Sequence, residues 1–146
     1  MLTKRQIENL KKGRDFLRTK VTDEQFNMRQ YNFKIVDGFT REVNNTVRNR
    51  HTCGSLGCAM GWMVEEPSLL RKILRKDKYM SYNNASEHLF GLSSLTTEWD
   101  FLFSIDYEKH DNTRAGAIGR INTLIKYPDL FVGEVGEQET YREIPF

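Results

Sequence analysis

The chain has 146 residues, of which 38 % are hydrophobic and 29 % charged, and a formal net charge of +2. That is about one domain's length with a globular balance, which excludes a disordered chain. No run approaches the ~20 apolar residues that a membrane-spanning helix needs. The opening Met1-Leu2-Thr3-Lys4-Arg5-Gln6 turns polar at once and lacks an apolar signal core, so the expectation is a cytoplasmic protein with reduced thiols at Cys53 and Cys58.

In chain order, Thr3 predicts the cap of a helix running to about Lys20, with Ile7, Leu10, Phe16 and Leu17 as its apolar stripe. Gly13 lies inside it and weakens it by about 1 kcal/mol relative to Ala. A short segment starts at Thr22 or Asp23. The alternation of Tyr31 to Val36 predicts a strand or extended arm, Asp37-Gly38 a turn, and residues 39–52 a long loop or weak second strand. The segment from His51 to Val64 holds three glycines and few charges. Small residues at Gly54, Gly57, Cys58 and Gly61 would line one smooth face of a buried helix from about Ser55 to Val64. Glu65-Glu66-Pro67 ends it, and Pro67 opens the next helix, with Leu69, Leu70, Ile73 and Leu74 facing inward. Asn83 or Asn84 caps a short helix that Gly91 stops. Ser93 or Ser94 caps another, with Trp99, Leu102 and Phe103 inside. Asn112 or Thr113 caps a long one to about Lys126, with Ala115, Ile118, Ile121, Leu124 and Ile125 as its core stripe. From Leu130 the tail adds an edge strand or drapes over the surface. The expected fold is mainly α: a single domain over residues 1–146, built as a compact bundle of five to six helices with at most a small two-stranded β element.

Charge is unevenly spread. Residues 1–50 carry 12 Lys/Arg against 6 Asp/Glu, whereas residues 101–146 carry 5 against 8. A basic front can bind a polyanion, but the first expectation is that the two ends attract each other within the fold or that the faces are simply solvated. Arg41, Arg48 and Arg50 flank a loop with Tyr31, Phe33 and Phe39 nearby, and Arg71, Lys72, Arg75 and Lys76 share a helix face. Phosphate contacts combined with stacking rings suit a single-stranded nucleic acid.

Two further chemistries centre on the cysteines. His51, Cys53 and Cys58 are soft donors within eight residues, but a structural zinc site needs a fourth ligand. A thiol enzyme would use Cys53 as nucleophile, at a glycine-rich turn before a helix, with His88 or His110 as base. The competing expectation for Cys58 is a small buried hydrophobe. A Cys53–Cys58 disulfide requires close backbone approach and an oxidising compartment.

The run Cys53-Gly54-Ser55-Leu56-Gly57-Cys58-Ala59-Met60-Gly61-Trp62, with Phe26-Asn27-Met28 before it and Phe90-Gly91-Leu92, Leu102-Phe103 and an Arg120-bearing late helix after it, resembles a group of small uncharacterised phage and bacterial proteins. The resemblance implies an origin in a phage or mobile element, and hence the host cytoplasm, and implies no activity. The leading expectation is a non-enzymatic accessory protein that binds a host or phage macromolecule, protein or nucleic acid, without a cofactor and away from the membrane. A thiol- or metal-dependent enzyme at Cys53 and Cys58, or a nucleic-acid-binding module, are the alternatives.

Overall fold

The computed structural model describes residues 2–26, 58–93, 95–103 and 113–131 in full, and the backbone alone of 33–36, 39–42 and 55–56. The fold is mainly α, with six helices among the described residues: α1 (Lys4–Lys20), α2 (Ala59–Met63), α3 (Pro67–Lys76), α4 (Tyr82–Phe90), α5 (Thr97–Phe103) and α6 (Arg114–Lys126). Beside them, β1 (Phe33–Val36) pairs antiparallel with β2 (Phe39–Glu42) and with the two-residue β3 (Ser55–Leu56), in the order β2-β1-β3. Among the described residues no helix is long and apolar enough to cross a membrane.

α1 is the hub, packing against α6, α2, α4 and α3. Thr3 starts it through a reciprocal capping box: the Thr3 hydroxyl accepts from Gln6 N at 3.2 Å, and Thr3 N donates to Gln6 Oε1 at 2.9 Å. Its buried stripe is Asn9, Leu10, Gly13 and Leu17, while Ile7 and Phe16 are only half-buried. A Cβ on Gly13 would touch the terminal methyl of Met63 and lie 3.1 Å from both Met63 Cβ and Cγ. The glycine that looked like a weakness in the helix is the place where α2 presses against it.

The other end of α1 is closed from α6. The Arg114 guanidinium donates to the carbonyls of Leu17 and Arg18, each at 3.2 Å, and pairs with Asp23 at 2.9 Å. These carbonyls belong to the last turn, where no intrahelical donor is available. Arg114→Ala should therefore destabilise the protein by about 1–2 kcal/mol in a urea titration. The ion pair contributes little of this, because Asp23 is 74 % exposed. Asp23→Ala should accordingly leave the midpoint nearly unchanged; equal losses in the two variants would contradict the capping account.

Several expected boundaries move. Ser55 and Leu56 are paired with Lys34 and Phe33 of β1, so their backbone belongs to the sheet and the helix begins only after Cys58, its extended N-cap. Gly54 and Gly57 of the expected small-residue face lie outside the described residues. α3 starts with Pro67 at its first turn, as its fixed φ favours, and the Glu66 carboxylate caps it by accepting from Leu69 N at 2.9 Å. Leu74 is 37 % exposed and does not join Leu69, Leu70 and Ile73 in the core. Ser81, not Asn83 or Asn84, caps α4, because the helix must begin a turn earlier to bury Tyr82 with Ala85 and Leu89. Gly91 ends α4 in the left-handed region at φ 68°, and its N–H donates to Glu87 O. In α5, the Thr96 hydroxyl accepts from the backbone N–H three residues on, that of Trp99, at 3.3 Å, whereas the Ser93 hydroxyl accepts from Leu95 N ahead of the helix; Ser94 lies outside the described residues. Thr113 caps α6 as expected. Its inward stripe is rotated, however: Ala117, Arg120, Ile121 and Leu124 are buried, while Ala115 is exposed. Phe131 packs on Phe101 with ring centroids 5.3 Å apart, which fixes the start of the tail; residues 132–146 lie outside the described residues.

Candidate functional site: a basic cleft between α1, α3 and α4

α1, α3 and α4 pack on one another pairwise, and a cleft of about 570 Å³ opens at their junction. Arg5 and Asn9 come from α1, Lys72, Arg75 and Lys76 from α3, and His88 and Leu89 from α4. None of these lining residues is acidic. The spacings explain the convergence: 5 and 9 are one turn apart on α1, and 72, 75 and 76 are one turn apart on α3, so each helix presents a single edge.

Asn9 organises the floor. It is buried, its amide donates to Leu89 O at 2.8 Å, and its Oδ1 accepts from the Lys72 ammonium at 2.8 Å. Leu89 O is one of the carbonyls left open at the end of α4, so Asn9 satisfies a helix terminus and fixes the direction of Lys72 at once. Burial, and then the like charges of Lys12 and Arg5, hold the Lys72 ammonium below its ordinary pKa, with Glu66 opposing. Glu66 sits at the other end of α3. Burial pushes its carboxyl up, but hydrogen bonds from Ser68 and Leu69 N and the charge of Lys12 outweigh this and leave it below its ordinary value.

A structural role accounts for part of this cluster. Cations in the last turn of a helix offset the macrodipole, and Arg75, Lys76 and His88 occupy such positions. It does not account for Arg5. The first turn of α1 contains no acidic residue and places Lys4 and Arg5 where the dipole favours anions. Two helix C-termini contribute about −0.5 each and the α1 N-terminus about +0.5, so the helix ends cancel only a small part of four formal positive charges.

Among the residues expected to bind, Lys72, Arg75 and Lys76 meet in the cleft. Arg71 is exposed on the same helix but does not line it. Arg41 stands in β2 opposite Lys34, and Arg48 and Arg50 lie outside the described residues. His88, considered as a base, is a cleft residue; His110, His51 and Cys53 lie outside the described residues. Arg5 and Asn9 were missed. The i, i+4 signal was available, but on α1 alone it reads as an ordinary wet face.

Cys58 is 3 % exposed at the start of α2, and burial pushes its thiol up to about 11 despite hydrogen bonds from the neighbouring backbone. A neutral, enclosed thiol is a poor nucleophile and a poor metal ligand. The described residues contain no group of three or more His, Cys, Asp or Glu placed to hold a metal ion. In a Cys53→Ser background, Cys58 should resist a thiol reagent at pH 8 until denaturant is added; fast native labelling would refute the buried assignment. The raised folded pKa also sets a sign. Stability from the neutral thiol is present below pH 9.0 and is lost as pH rises towards about 11.

The chain matches no protein-family model, no curated protein and no solved structure. The cleft must be read from its own chemistry.

Proposed function

We propose that this chain is a non-enzymatic accessory protein, encoded by a phage or mobile element and acting in the host cytoplasm, that binds the backbone of a nucleic acid through the α1/α3/α4 cleft. The observation that carries this reading is the convergence of Arg5, Lys72, Arg75 and Lys76 on one cleft, with no acidic residue among the described ones that line it. A protein partner would be expected to meet an apolar centre rich in aromatic and methionine side chains. Among the described lining residues Leu89 is the one apolar side chain, while Arg5, Lys72, Arg75 and Lys76 bring charged donors, which suits a polyelectrolyte.

The experiment is fluorescence anisotropy with single-stranded homopolymers, set against poly-glutamate, from about 50 to about 200 mM salt. The reading expects nucleic acid to bind more tightly than poly-glutamate, and affinity to fall steeply with salt as counterions are released. Absence of nucleic-acid binding at the lowest salt would end it, and so would equal affinity for poly-glutamate.

A further inference from the structure

The cleft, of about 570 Å³, gathers its cations from one edge of α1 and one edge of α3, and this bears on which part of a nucleic acid it takes. Its donors are of two kinds: the planar forks of Arg5 and Arg75, and the point charges of Lys72 and Lys76. Asn9 holds the Lys72 ammonium in place at 2.8 Å, so one donor is oriented before any ligand arrives. A phosphodiester brings one negative charge and spreads the next along the chain. A phosphate monoester brings ~1.5 to 2 charges and three strong acceptor oxygens at a single point. Four cations on two walls of one recess match the second distribution. We propose that the cleft is a phosphate-monoester site, with Arg5, Lys72 and Arg75 on the phosphoryl oxygens and Lys76 and His88 at the rim, and that it takes the terminal phosphate of a nucleotide or oligonucleotide. This rests on the nucleic-acid reading above and deepens it. The like charges of Lys12 and Arg5 that disfavour the Lys72 ammonium give an incoming dianion an added electrostatic gain.

The test compares one short single strand with a 5′-phosphate, a 3′-phosphate or neither, by anisotropy at fixed ionic strength, with a nucleoside monophosphate and the corresponding nucleoside as competitors. A phosphorylated end should bind at least about tenfold more tightly than the unphosphorylated strand. Arg75→Gln combined with Lys76→Gln should erase that preference, whereas Lys20→Gln, at the far end of α1, should keep it; thermal melts of each variant establish that it is folded. Competition by the monophosphate and not by the nucleoside assigns the site to the monoester itself. Competition only by phosphorylated strands assigns it to a chain end. Equal affinity with and without a terminal phosphate would overturn the monoester site while leaving backbone binding intact. Binding to none of the strands would overturn both.

Discussion

Gly13→Val is expected to destabilise the fold by about 2 kcal/mol, a fall of several degrees in Tm. In an isolated helix the same change is favourable by a few tenths of a kcal/mol, because Val is a better helix former than Gly. The opposite sign here comes from Met63. A Cβ at position 13 already lies 3.1 Å from Met63 Cβ and Cγ and touches the terminal methyl, and the two added methyl groups of Val crowd the site further. Met63 is fully buried in the core, so it cannot swing into solvent to make room. Overpacking of this kind costs typically 1–3 kcal/mol. Met63→Ala alone should cost about 2–5 kcal/mol through the cavity it leaves. The double variant should then be more stable than the sum of the two changes predicts, by at least about 1 kcal/mol, because each change relieves the other. Chemical denaturation of the four proteins in the cycle measures this. Additivity would mean that α1 and α2 do not approach each other at this point.

Reversing charge at the cleft, with Arg75→Glu and Lys76→Glu together, should lower affinity for a single-stranded oligonucleotide at least about a hundredfold at low salt. Each lost phosphate contact should also reduce the slope of log affinity against log salt by about 0.7, so the pair should flatten it by about 1.4. Both side chains are exposed. Placing acids in the last turn of α3 opposes its dipole and should cost about 0.3–1 kcal/mol each, too little to unfold the chain. An affinity loss without a change in salt slope would indicate a folding defect, and an unchanged affinity would move the binding surface away from the cleft.

How much of this was legible beforehand varies element by element. The limits of α1, the opening of α3 at Pro67, the stop at Gly91 and the cap of α6 at Thr113 all depend on interactions within three or four residues of the chain, and they stand where local chemistry places them. The mainly α class with six helices follows from the same short-range signals. Errors arose where two segments compete for one backbone or one face. Ser55 and Leu56 join β1 because partners about twenty residues away claim their hydrogen bonds. Arg120 sits 2 % exposed inside a stripe expected to be aliphatic, since what surrounds α6 decides which of its faces is inward.

The cleft divides in the same way. The cations of α3 were visible as a face because they are one turn apart, and that spacing is a property of the helix alone. Arg5 and Asn9 joined them only because α1 packs against both α3 and α4, which aligns one edge of α1 with the ends of the other two helices. Local sequence determined which segments become helices, where they start and stop, and that a basic face exists. Only tertiary packing decided that this face lines a recess, that Asn9 holds Lys72, and that Cys58 is enclosed, because those features depend on distances between residues far apart in the chain.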